Sequence, residues 1–195
     1  MYDIEQLLLA LQVNREEAKK HIAESNNPRA ACIIAKYYLT AQSYGSILES
    51  WIKKCLSLDA KLDNLSGDAS LNERSFEIKV SISGATGAFN YVQLRPSHKI
   101  DGYIILNYSI ELDKVVWLYI PAEDMYTLIN KHGQYAHGTL KVNGPLTMES
   151  IKNGNYEYAI RPSILKPNTK PGKVWEDIKK YEVTEDGLRQ ILHST

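Results

Sequence analysis

"SFEIKVSIS", residues 75–83, alternates without interruption, with Phe76, Ile78, Val80 and Ile82 on one side and Ser75, Glu77, Lys79, Ser81 and Ser83 on the other. A period of two is that of a half-buried strand. Its polar side carries a carboxylate and an amine two residues apart, and Asp68 stands just upstream between small residues in "SGDAS", 66–70. The strand's neighbours set the fold class, and its polar side sets the question of function.

Working outward, residues 66–120 read as a sheet. A turn at "NLSGD" precedes the strand, and a Gly-rich turn "SGATGA" follows it. Three further strand-like segments come next: "FNYVQLRP" (89–96), "GYIILNYSI" (102–110) and "KVVWLYIP" (114–121). The runs at 103–106 and 115–120 are almost continuously apolar, as expected of central strands covered on both faces. "PAEDMYTLINKH" (121–132) starts a helix, with Pro121 at its first position and acids in its first turn. Beyond it, residues 132–173 are rich in Gly, Asn and Pro and hold a short strand "YEYAI" (156–160). "KVWEDIKKY" (173–181) and "TEDGLRQILH" (184–193) close the chain as helices.

Upstream of the sheet, residues 1–58 read as helical. The segments are "DIEQLLLALQV" (3–13), "NREEAKKHIAES" (14–25) with Asn14 as its cap, and one long helix after Pro28. The long helix presents an apolar face from Ile33 through Tyr37, Tyr38, Leu48 and Trp51 to Cys55, with Glu49 at the edge of that stripe. Helices, then a mixed sheet, then helices give an α/β protein with a central mixed β-sheet flanked by helices. The 195 residues are expected to form a single domain: a helical part (1–58), a core (66–130), and loops with C-terminal helices (131–195).

Composition narrows the function classes. Hydrophobic content of 44% with 24% charged residues excludes wholesale disorder. A formal net charge of zero weighs against a protein that coats nucleic acid non-specifically, but it leaves room for a local basic groove balanced by acids. Cys32 and Cys55 fall in helical segments and form neither a disulfide framework nor a zinc site. The first residues lack a basic signal-peptide start, and no run approaches the roughly 18 apolar residues of a membrane span. A cytoplasmic protein without membrane contact is therefore expected.

Composition alone yields about three acid-x-base triplets by chance, so context must select among those present. Glu17–Lys19 and Asp177–Lys179 lie in helices, where a spacing of two points side chains apart, and Asp59–Lys61 lies in a polar linker. Glu77 and Lys79 lie on a strand, where the same spacing shares a face. That face is either a solvated ion pair or a hydrolytic site. In the second reading, Asp68 and Glu77 hold Mg²⁺ with the carbonyl of Ile78, and Lys79 positions the attacking water.

These residues resemble the PD-(D/E)xK nucleases, and among them the type II restriction endonucleases. The pattern of an acid, a short connection and acid-x-Lys on the next strand is met by Asp68 and Glu77-Ile78-Lys79. The further helical acid of the family corresponds to Glu49 in "YGSILESWIKK". Gly67 stands where the family often has proline. The resemblance covers about residues 44–130 and implies a restriction-endonuclease-like core, with "FNYVQLRP" and the strands after it continuing the central sheet. It implies an Mg²⁺-dependent, sequence-specific double-stranded DNA endonuclease of a restriction-modification system, leaving 5′-phosphate and 3′-hydroxyl ends. Asp68, Glu77 and Lys79 would be catalytic, with Asp68, Glu77, Ile78 and Glu49 at the metal. A homodimer would match a symmetric target, with the N-terminal helices as its interface.

Asn90, Gln93, Arg95, His98 and Lys99 supply donors suited to phosphates and base edges within ten residues, and are expected at the DNA. "KHGQYAHGTLKVNG" (131–144) reads as a recognition loop or a plain connector, and "KPNTKPGK" (166–173) as a Pro-restrained basic loop able to meet a phosphate backbone. Two other readings stay open: a structure-specific repair nuclease or junction resolvase, and a non-catalytic binding module in which Glu77 and Lys79 are only a surface pair.

Overall fold

The computed structural model describes residues 14–63, 65–136 and 146–194. The helix expected at 3–13 and residues 137–144 of the expected recognition loop lie outside them. The chain divides into two compact units, Met1–Cys55 and Leu56–Thr195.

The first unit is helical. Helix α1 (Arg15–Glu24) starts on a capping box: the Asn14 side chain accepts from Glu16 and Glu17 amides at 3.0 and 3.1 Å, and Glu17 returns to the Asn14 amide at 3.0 Å. Helix α2 (Pro28–Tyr38) has Asn27 as its cap and Pro28 in its first turn. The single long helix expected after Pro28 is instead two. Leu39 takes an extended conformation that ends α2. Thr40 then opens α3 (Ala41–Cys55), its carbonyl accepting from the Ser43 amide. The break rotates the apolar stripe, so Tyr37, expected in the core, is 60% exposed. Trp51 Nε1 donates to the Ser25 carbonyl at 2.8 Å and Lys54 Nζ to the Ala23 carbonyl at 2.7 Å, which ties α3 to the C-terminal end of α1. Cys32 is buried, which pushes its thiol up to about 12, and neither cysteine is disulfide-bonded.

The second unit is mixed α/β. Its strands are β1 (Asp59–Ala60), β2 (Ala69–Leu71), β3 (Arg74–Ile82), β4 (Tyr91–Leu94), β5 (Gly102–Ser109), β6 (Lys114–Pro121), β7 (Gln134–Tyr135), β8 (Tyr158–Ile160) and β9 (Glu182–Val183). Its helices are α4 (Ala122–His132), α5 (Met148–Asn153), α6 (Lys170–Ile178) and α7 (Glu185–His193). Six strands form a central sheet in the order β1-β2-β3-β5-β6-β9, mixed because β3 and β5 run parallel while the other pairs are antiparallel.

Two expectations change here. "FNYVQLRP" does not continue the central sheet: β4 pairs with β8 in a second sheet of order β4-β8-β7. Direct parallel pairing of β3 with β5 requires a long crossover, and β4 lies within that crossover. A left-handed Gln93 (φ 54) and a register shift between Tyr91 and Leu94 keep β4 short. Strand β3 is also not half-buried, since Ser75, Glu77, Ser81 and Ser83 are as buried as Phe76, Ile78 and Ile82. The Glu77 face belongs to the layer in which Tyr103, Ile105 and Leu118 pack with β4, β8, α4 and α6. Two of these buried side chains make hydrogen bonds to other parts of the unit: Ser81 accepts from the Asn90 amide at 2.9 Å, and Ser83 donates to Glu111 at 2.9 Å. Between the sheets, the buried Asn107 amide donates to the Tyr91 hydroxyl at 2.7 Å.

The basic loop expected over 166–173 ends early. Thr169 caps α6, which begins at Lys170. Among the described residues, no helix is long and apolar enough to cross a membrane.

Candidate active site

The site begins in a tight hairpin. Leu71 pairs with Arg74 in register, which leaves Asn72 and Glu73 as a two-residue loop, both left-handed at φ 51 and φ 65. That is the turn whose twist matches the strands it joins. It folds β2 back along β3, so the residues before β2 run beside the middle of β3. The Asp68 amide donates to the Phe76 carbonyl at 2.8 Å, and Asp68 Oδ2 accepts from the Ile78 amide at 2.9 Å. Gly67 is left-handed (φ +73) and packed so closely that an added Cβ would lie 2.7 Å from the Phe76 oxygen.

Glu77 and Lys79 share the opposite face of the strand from Ile78. Lys79 Nζ donates to Glu77 Oε1 at 2.7 Å, and the carboxylate is 2% exposed against 17% for the lysine side chain. This is a buried pair, not the solvated one that alternation alone would imply. Removing either partner leaves an uncompensated charge in a low-dielectric setting. An extended residue directs its N–H and C=O to the same lateral side. The Ile78 carbonyl therefore projects toward the side on which Asp68 caps its amide.

Two further groups meet this cluster. His98, expected at DNA, turns inward: its side chain is 16% exposed, and Nδ1 lies 3.5 Å from Glu77 Oε2. Tyr103 was not singled out by the sequence. It stands in register with Glu77 on the neighbouring parallel strand and is fully buried. Burial, and secondarily the charge of Glu77, raises its hydroxyl well above the usual tyrosine range, so it is a neutral donor. Parallel register between strands 26 residues apart leaves no local signal, which is why only the structure reveals this neighbour.

The remaining expected residues are dispersed. Arg95 is held by Glu157, with Nε and Nη2 at 2.8 and 2.6 Å from Oε1. Asn90, Gln93 and Lys99 are exposed. Glu49 belongs to the helical unit, where it pairs with Lys53 at 2.7 Å. Of the six residues 131–136 at the start of the expected recognition loop, the first two end α4 and Gln134–Tyr135 form β7.

The donors around Ile78 suit a hard divalent cation. Glu77 Oε2 is buried without a hydrogen-bond partner, and two carboxylates with one backbone carbonyl are the oxygens that Mg²⁺ takes while retaining several waters. Among the described residues, no group of three or more His, Cys, Asp or Glu side chains is arranged to hold a metal. A cation here would therefore complete its shell with backbone and water oxygens. No protein-family model matches the sequence, and no curated protein matches it at a significant level.

Proposed function

We propose that the protein is an Mg²⁺-dependent endonuclease acting on double-stranded DNA, a type II restriction enzyme that hydrolyses phosphodiesters to 5′-phosphate and 3′-hydroxyl ends. The observation that carries this reading is the arrangement about Ile78. An acid from the preceding hairpin arm caps its amide, and a buried Glu–Lys pair flanks it on β3. A solvated strand face has no need to bury a carboxylate against an amine, whereas a hydrolytic site needs both held in place.

In this reading Asp68 and Glu77 bind the cation with the Ile78 carbonyl. The bound ion would neutralise phosphate charge and lower the pKa of a water. Lys79, anchored on Glu77 Oε1, orients that water by hydrogen bonding and places a positive charge beside the phosphate oxygens as negative charge develops there. The neutral Tyr103 hydroxyl adds a donor on the same face. A symmetric recognition site would be read by a homodimer.

The test is incubation of the purified protein with unmethylated phage and plasmid DNA and Mg²⁺, beside Glu77→Gln and Lys79→Met. Discrete fragments from wild type, reduced by at least about 10²-fold in both variants, are expected. Cleavage that follows branched or damaged structure irrespective of sequence would replace the restriction reading with a repair nuclease or resolvase. No cleavage of any of these DNAs with Mg²⁺ or Mn²⁺ would overturn the nuclease reading.

A further inference from the structure

Buried polar side chains in a folded protein are nearly always hydrogen-bonded, so the exceptions carry information. Among the described residues, four buried side-chain nitrogen or oxygen atoms have no hydrogen-bond partner: Glu77 Oε2, His98 Nδ1, Tyr103 OH and Asn107 Oδ1. The first two face each other, and the third belongs to the residue in register with Glu77 on β5. Three groups without a hydrogen-bond partner thus belong to one face of the sheet around β3, two of them on residues that are 2% exposed or less.

The separation between the first two is informative. At 3.5 Å, Glu77 Oε2 and His98 Nδ1 are too far apart for a good hydrogen bond. Two ligand atoms each about 2.1 Å from one ion, at a tetrahedral angle, lie about 3.4 Å apart. Glu77 Oε1 is occupied by Lys79, which leaves Oε2 as the oxygen available. His98 is set by its own turn, its amide donating to the Arg95 carbonyl at 3.0 Å, and the following Lys99 amide donates to the Leu65 carbonyl at 2.7 Å. That second bond ties the turn to the chain leading into Asp68. The imidazole as a whole retains 16% exposure, whereas Nδ1 itself is buried.

We propose that Glu77 Oε2 and His98 Nδ1 jointly coordinate a divalent transition-metal ion, so that the cation site takes an imidazole nitrogen as well as oxygens. Imidazole favours Co²⁺, Ni²⁺ and Zn²⁺ over Mg²⁺, which binds through oxygen alone. The site therefore prefers these ions in binding, whichever ion supports turnover. This inference rests on the metal-site part of the proposed function, but it concerns affinity and ligand identity rather than cleavage.

The test is titration of the full chain with Co²⁺, followed by its visible absorption, for wild type, His98→Gln and Glu77→Gln, with far-UV circular dichroism to establish that each variant is folded. Wild type should show the band of Co²⁺ in a low-coordinate N/O site. His98→Gln should weaken binding at least about tenfold and shift the band. Mg²⁺ should displace Co²⁺ from wild type only in large excess. A folded His98→Gln that binds Co²⁺ with wild-type affinity and spectrum, while Glu77→Gln does not bind, would overturn His98 as a ligand and leave the carboxylate site standing. DNA cleavage with Mg²⁺ but no Co²⁺ binding would overturn this inference alone. Co²⁺ binding through His98 with no cleavage of any DNA would uphold it and remove the nuclease reading.

Discussion

At the level of single residues, the geometry around Ile78 depends on Gly67. Its φ of +73 belongs to the left-handed region, and a Cβ there would sit 2.7 Å from the Phe76 oxygen and 2.9 Å from Ile100 Cγ2. The nearest obstacle is backbone, so relief requires the start of the hairpin to shift, and Asp68 is the next residue. Gly67→Ala should destabilise the protein by about 1–3 kcal/mol, the left-handed penalty plus the clash. Gly84→Ala is the comparison, because nothing lies within 4 Å of a Cβ there and its φ is not positive. That change should stay within about 0.5 kcal/mol of wild type. Urea unfolding of the two variants checks the contrast. Equal costs would mean that the close approach at Gly67 is not what fixes the Asp68 turn.

At the level of elements, the β2–β3 hairpin sets where Asp68 meets β3, and its turn is not built from preferred residues. Asn72 suits a left-handed position, whereas Glu73, exposed at φ 65, does not. Glu73→Gly would remove a left-handed cost of about 1–2 kcal/mol and add back about 0.5–1 kcal/mol of chain entropy. A net gain of roughly 0.5–1 kcal/mol is expected, read as a higher urea midpoint with unchanged slope. A loss of stability would show that Glu73 makes a contribution through its side chain that outweighs the turn geometry. The same residue marks the limit of what the sequence reveals. Signals that act within a few residues were legible: the Asn14 cap, Pro28 in a first turn, the alternation of 75–83, and the apolar runs that become β5 and β6. An unfavoured glutamate in a type I′ turn gives no such signal, so the turn at Asn72–Glu73 and the register it sets were not legible. Pairings across long separations were equally hidden. Nothing local tells that Arg95 meets Glu157, that β4 joins β8, or that the polar face of β3 lies under a second layer. The candidate site divides in the same way. Asp68, Glu77 and Lys79 are close in sequence and were readable together, while Tyr103 and the inward turn of His98 depend on the parallel pairing of β3 with β5.

At the level of the whole α/β unit, the layers are joined by a polar seam as well as by the apolar core. Asp177 on α6 accepts from Lys131 Nζ and pairs with His132 Nε2 at the end of α4, both at 2.6 Å. The Lys131 hydrogen bond first, and then that of His132, hold its carboxyl below the usual aspartate range. A folded-state pKa below the unfolded value of about 3.9 means that the unfolded chain binds more protons in the interval between them. The contribution of Asp177 is therefore complete above about pH 5 and disappears as pH falls through the folded-state value. The carboxylate is 35% exposed and Lys131 62% exposed, so solvent screening limits the seam to less than about 1 kcal/mol. Asp177→Asn should lower the melting temperature by no more than about 4 °C at pH 7, and the difference from wild type should shrink as the pH is lowered below about 5. Thermal unfolding of both proteins at pH 7, 5 and 3 gives the comparison. A difference that grew on acidification would reverse the sign of the linkage and remove Asp177 as the group that loosens the α4–α6 seam in acid.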